Sequence, residues 1–158
     1  GIEFKTAADI NHVYINGEEV TDEIRSPMVT SLVSEVSAHK GVREAMVAKQ
    51  RELGAQGSIV AEGRDTTTVV FPRADLKIYL SAAVKTRAER RLIDMARMGV
   101  STTVDELVAD IERRDKHDSE RKHSPLTRAR DAFVVDTSNV SVDEQVDQIL
   151  AHFKSVTK

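Results

Sequence analysis

Arginine and aspartate alternate at short spacing in three places along this chain: Gly63-Arg64-Asp65, Arg113-Arg114-Asp115, and Asp118 with Arg121 just beyond. A guanidinium fork grips phosphate oxygens two at a time, whereas a carboxylate accepts from neutral hydroxyl or amino donors. Clusters that contain both suit a ligand carrying phosphate together with hydroxyl or amino groups. A nucleotide is such a ligand.

Composition narrows the setting. The 158 residues are 40% hydrophobic, enough for one domain, or one domain with a small appendage. No apolar run approaches the length of a membrane span, and no charged-then-apolar leader opens the chain. The absence of cysteine excludes disulfides and thiolate metal sites and makes a reducing cytoplasm the expected location. With 23 basic against 26 acidic residues the net charge is -3, which lacks the basic footprint of a duplex-binding protein. Aromatic content of 4% leaves little for stacking single-stranded bases. His117 and His123 flank charged residues and read as solvated rather than as metal ligands, so no protein metal site is expected.

The elements that must position the clusters follow from periodicity and punctuation. Ile2 to Lys5 and His12 to Ile15 read as strands of an opening hairpin, with Asn16-Gly17 a turn signal after the second. Ser26-Pro27 marks a helix start, and Val29, Leu32, Val33 and Val36 recur at helical spacing. A second helix is predicted from about Gly41 to Leu53, with Gly54 as its terminator. Ser58 to Ala61 and Leu76 to Leu80 read as short buried strands. Val84 to Met98 is a basic amphipathic helix closed by Gly99. Thr103 with Glu106 forms a capping box for a helix running to about Asp115. Ala132 to Val135 reads as a strand ending in Asp136-Thr137. Ser141 with Glu144 caps a last helix whose buried face is Val142, Val146, Ile149, Leu150 and Phe153. Strands separated by helices indicate an α/β core with a parallel sheet, whose ligands gather at the carboxyl ends of the strands. Gly63-Arg64-Asp65 follows a strand and falls where that rule places chemistry.

Taken singly, these residues have plainer readings. Ser34 reads as a solvent-facing or back-bonded helix serine. Arg43 reads as a first-turn charge. Arg90 and Arg91 have ordinary ion-pair partners in Glu89 and Asp94. Arg113-Arg114-Asp115 is also what the salt-bridged end of a polar helix looks like.

Joint occurrence, in order, changes the weighing. Ile59-Val60-Ala61-Glu62-Gly63-Arg64-Asp65, Thr68-Val69-Val70-Phe71-Pro72, Arg114-Asp115 with Asp118 and Arg121, Pro125-Leu126 and Asp131-Ala132 together resemble the bacterial cytidylate kinase family. Asn16-Gly17-Glu18-Glu19-Val20-Thr21 with Ile24-Arg25 resembles the segment leading into that family's nucleoside-monophosphate-binding insert. The resemblance extends from the first residues to the last helix.

The resemblance implies a P-loop kinase-type α/β fold that transfers the γ-phosphoryl group of ATP to CMP or dCMP with Mg²⁺. It implies an insert over residues 1–56, a kinase core over 57–158 and a lid at about 100–125. In the family, positions matching Ser34, Arg43 and Asp65 recognise cytosine, and those matching Arg114 and Asp118 lie by the ribose. Positions matching Arg64 and Arg121 hold phosphate, and Arg90 lies on a segment associated with ATP. Physical chemistry agrees, since a carboxylate such as Asp65 can accept from the cytosine amino group while Ser34 or Arg43 donates to ring atoms. Arginines around the transferred group neutralise charge spread over its oxygens, and an Arg-rich lid supplies them on closing.

Two departures bear on this reading. The seven glycines include no Gly-Lys-Ser/Thr arrangement, so the P-loop that holds donor phosphates and Mg²⁺ in the family is not in this sequence. Together with an opening Gly1-Ile2 that lacks Met, this leads us to expect the carboxy-terminal part of a kinase, inactive alone. ATP and Mg²⁺ binding are expected to depend on the missing P-loop strand and helix. The gap would be covered by that segment or by self-association. The alternatives are a CMP-binding fragment or paralogue without transfer, and a monophosphate kinase of different base preference. The second departure is Thr67, which stands where the family usually has Gly. It costs strain if the backbone there needs positive φ and nothing otherwise.

Overall fold

The structure, a computed structural model, describes residues 1–7, 10–55, 57 and 59–156. The chain forms two compact units, Gly1–Arg43 and Glu44–Lys158. The division falls inside the second helix, α2 (Lys40–Gly54), near its start.

The first unit opens with β1 (Ile2–Ala7), β2 (Ile10–Ile15) and the short β3 (Glu18–Glu19). β1 and β2 pair antiparallel from Ile2 opposite Ile15 to Ala7 opposite Ile10, and β2 pairs antiparallel with β3. Asn16 and Gly17 turn the chain between β2 and β3 with φ of 53° and 88°, the left-handed pair that a two-residue hairpin loop of this hand requires. Thr21 is buried beside this turn, where its hydroxyl accepts from Val13 N at 2.9 Å and donates to Glu19 Oε1 at 2.9 Å. A 3-10 turn at Glu23–Arg25 leads to α1 (Pro27–Ala38). Ser26 caps α1 through Val29 N at 3.4 Å, with Pro27 at the first helical position, where its missing N–H costs nothing. Leu32, Val33 and Val36 on α1 are exposed, whereas Ser34 is half-buried.

The second unit holds the parallel pair that the sequence predicts, β4 (Ile78–Ser81) and β5 (Phe133–Asp136). Their register runs from Ile78 opposite Phe133 to Ser81 opposite Asp136. Outside the ladder, Phe133 N donates to Lys77 O at 2.9 Å and Thr137 N to Ser81 O at 2.7 Å. α3 (Val84–Arg97) packs along α4 (Val104–Glu120), and each buries an apolar side chain, Ala88 and Leu107. Gly99 ends α3 with φ 72°, and the Thr103–Glu106 capping box starts α4. Val70, Ala129 and Val135 complete the apolar core of this unit among the described residues. No helix among these residues is long and apolar enough to cross a membrane.

Three sequence expectations are corrected. Of the strand predicted over 58–61, Ser58 lies outside the described residues; 59–61 are not strand, and Ile59 and Val60 are exposed rather than buried. α4 runs past Asp115 to Glu120, because Lys116 to Glu120 contain neither glycine nor proline to stop it. The last helix, α5 (Val142–Val156), packs on β5, yet Val142, Val146, Leu150 and Phe153 are exposed. Its half-buried positions are Gln145, Ile149 and His152, spaced four and three apart, so the inward face is turned by one residue. His152 stacks on Phe133 with ring centroids 4.0 Å apart, which fixes that rotation. Between α2 and β4, Thr66–Val70 forms one π-helical turn.

Candidate functional site

The length of α4 assembles the site. Arg114, Asp118 and Arg121 stand at i, i+4 and i+7, so they lie on one side of a helix, with Arg121 as its C-cap. The Asp118 side chain is 2% exposed and both its oxygens are engaged. Oδ1 faces Arg121 Nη1 at 3.3 Å. Oδ2 accepts from Arg64 Nη1 and lies 3.9 Å from Arg114 Nε. The Arg121 side chain is itself 6% exposed and donates from Nε to Ser124 O at 2.5 Å, while Leu126 N donates to Asp118 O at 2.7 Å. The loop after α4 is thus folded back onto the helix end, with Ser124 at φ 49°.

Asp115 extends the cluster. Its Oδ2 pairs with Arg87 Nη1 of α3 at 2.7 Å, and its Oδ1 lies 3.7 Å from Arg64 Nη1. Four guanidiniums, those of Arg64, Arg87, Arg114 and Arg121, therefore converge on two carboxylates. Burial, and then the like charge of Arg64, lower the Arg114 pKa from its ordinary value. Among the described residues, Arg87 Nε and Arg114 Nε are buried without a hydrogen-bond acceptor. A partly buried group of guanidiniums with donors to spare has the chemistry to accept an anion, because a buried N–H without an acceptor is costly until an oxygen meets it.

Arg87 is the residue that sequence reasoning overlooked. Its signal was the basic face of α3, where Arg87 precedes Arg90 and Arg91 by three and four residues. By contrast, Arg113 pairs with Asp110 at 2.9 Å on the exposed side of α4, outside the cluster.

The other candidates take separate positions. Asp65 sits at the N-terminal end of the π-helical turn and is half-buried; its carbonyl accepts from Thr68 N at 3.2 Å, Val69 N at 2.8 Å and Val70 N at 3.3 Å. Thr67 lies within this turn and is not among the residues of positive φ, so the threonine carries no left-handed strain. Gly63 is packed against Thr66, whose Oγ1 would lie 2.5 Å from a Cβ at that position. Arg90 is at the carboxyl end of β5, where Nη1 donates to Thr137 Oγ1 at 3.0 Å and Nη2 to Thr137 O at 2.5 Å. In the first unit, Ser34 O accepts from Ser37 Oγ at 3.2 Å, and Arg43 Nη1 donates to Ser37 O at 3.2 Å. Among the described residues no three His, Asp or Glu side chains converge as metal ligands.

Comparison with known proteins gives a consistent picture. The family model described as cytidylate kinase matches residues 2–155. A cytidylate kinase of Bacillus cytotoxicus is 47% identical over 95% of this chain and 67% of its own length. One from Enterococcus faecalis is 47% identical over 94% of this chain and 66% of its own length. A bifunctional pantoate ligase/cytidylate kinase of Prochlorococcus marinus is 42% identical over 98% of this chain and 30% of its own length. The chain thus spans about two thirds of the length of the monofunctional relatives named here.

Proposed function

Since the chain belongs to the cytidylate kinase family, we propose that it supplies the acceptor side for transfer of the γ-phosphoryl group of ATP to CMP or dCMP. The products are CDP or dCDP, and ADP. The observation that carries this reading is the convergence of Arg64, Arg87, Arg114 and Arg121 on Asp115 and Asp118, with the buried Nε donors of Arg87 and Arg114 unmatched among the described residues. Phosphate oxygens match that charge and accept from such donors.

Arg64, Arg114 and Arg121 are assigned to the phosphates, joined by Arg87. Gathered on one side of the site by Asp115 and Asp118, they neutralise charge on the transferring group once Arg64 exchanges its carboxylate contact for phosphate. When Arg64 turns onto a phosphate, Asp118 Oδ2 is released from its shortest contact and can accept a ribose hydroxyl. Asp65 is assigned to the cytosine amino group. For the first unit, Ser34 and Arg43 are assigned to ring atoms. Arg90 serves the ATP side from the carboxyl end of the parallel strands, where ligands of such sheets gather.

Mg²⁺ supplies charge neutralisation on the ATP phosphates when bound. The residues described here form no carboxylate cage for it, and its protein ligands are proposed to lie outside this set. ATP phosphate binding is likewise assigned outside it, because these 158 residues contain no Gly-Lys-Ser/Thr segment. Transfer is therefore proposed for the kinase that includes these residues, with the cytoplasm as its location.

The test is incubation of that protein with ATP, Mg²⁺ and CMP, dCMP or UMP, with products separated by anion exchange. CDP and dCDP are expected to form ahead of UDP. Faster use of UMP would overturn the cytosine assignment, and CMP binding that never yields CDP would overturn transfer while leaving recognition.

A further inference from the structure

The trailing end of the π-helical turn Thr66–Val70 is held by a residue of α2. Arg51 Nε donates to Val70 O at 3.0 Å, and Arg51 Nη2 donates to Val69 O at 2.7 Å. The last carbonyls of any helical turn lack an internal donor and must find one elsewhere. One edge of a guanidinium presents two parallel N–H groups, and here they meet two consecutive carbonyls. A second contact reinforces the first. Gly54, one turn further along α2, leaves room for Phe71, whose ring carbons would lie 2.6 and 2.8 Å from a Cβ there. Val70, between these contacts, is 3% exposed.

The turn transmits this anchoring to its other end. Val69 N and Val70 N donate to Asp65 O, and Phe71 N donates to Thr66 O at 2.7 Å. The residues whose carbonyls Arg51 fixes are therefore the ones whose amides hold the backbone of Asp65. Without the clamp, the two final carbonyls lose a charged donor and the wide turn keeps only the Phe71 packing as external support.

We propose that Arg51 is a positioning residue for base recognition: it fixes the Thr66–Val70 turn and, through it, the direction in which the Asp65 carboxylate is presented. The inference rests on the reading of Asp65 as the group that meets the cytosine amino donor. Arg51 touches no reacting atom. Its effect is confined to ligands that carry a base.

The test is calorimetric titration of CMP, UMP and ribose 5-phosphate into the parent protein and the Arg51→Gln, Arg51→Lys and Asp65→Asn variants. Arg51→Gln is expected to weaken CMP about tenfold and move the CMP-to-UMP ratio toward one, as loss of two charge-assisted hydrogen bonds at the turn implies. Ribose 5-phosphate affinity is expected to stay at the parent value, and Arg51→Lys, which can still donate, to recover part of the ratio. Equal losses for CMP and ribose 5-phosphate would overturn the proposal, since they would mean general damage. A ratio unchanged in Arg51→Gln but lost in Asp65→Asn would overturn the Arg51 role alone. A parent protein without preference for CMP would remove the Asp65 reading and this inference with it.

Discussion

Asp118 and Arg121 form an ion pair at 3.3 Å in which the side chains are 2% and 6% exposed. A charge placed so far from water persists only where opposite charge and hydrogen bonds replace hydration. Here the replacement is reciprocal, because Arg64 and Arg114 lean on the same carboxylate. Asp118→Ala would leave these arginines facing one another. We expect a stability loss of about 3–5 kcal/mol, the usual consequence of removing one partner from a buried pair. Urea denaturation checks this, and an unchanged midpoint would contradict the central place given to Asp118.

The base preference gives a second prediction. Asp65→Asn keeps an acceptor but adds an amino donor, which suits the uracil carbonyl better than the cytosine amino group. CMP affinity is expected to fall about tenfold relative to UMP, the scale of one charged hydrogen bond. Calorimetry with both nucleotides measures the ratio; equal losses would show that Asp65 does not read the base.

Acid sensitivity gives a third. Glu106 accepts from Thr103 N at 2.9 Å and from the hydroxyls of Thr103 and Thr102, and these bonds hold its carboxyl below the ordinary glutamate range. Glu144 is lowered in the same way by the backbone N–H and hydroxyl of Ser141. A depressed folded-state pKa means that the unfolded chain takes up protons first as pH falls. The stabilisation is thus complete above about pH 4.5 and is lost as pH drops through the folded value. Glu106→Gln is expected to lower stability at neutral pH and to flatten the acid limb of the stability profile. Urea melts from neutral pH to about pH 3 give the comparison, and parallel profiles for the two proteins would refute the cap's role.

The parts of this structure legible in the sequence are the ones decided locally. Asn16-Gly17, Ser26-Pro27, the Thr103–Glu106 and Ser141–Glu144 caps and Gly99 each act within a few residues, and each stands where its chemistry predicts. The site was legible as a set of residue types but not as an arrangement. Ending α4 at Asp115 separated Arg114 from Asp118 and Arg121, although the face they share depends on the helix continuing. Arg64 meets Asp118 across 54 residues of chain, a contact that no local pattern encodes. The inward face of α5 is set by His152 stacking on Phe133, so tertiary contact overrode the apolar stripe. Thr67, doubtful in sequence terms, is accommodated because a π-helical turn needs no left-handed residue there.

The claim that Arg64, Arg87, Arg114 and Arg121 receive a nucleotide phosphate is tested most directly by titrating CMP and cytidine side by side into the same protein. CMP is expected to bind at least about a hundredfold tighter than cytidine, with the gap narrowing as salt screens the guanidiniums. Cytidine binding as tightly as CMP would contradict it.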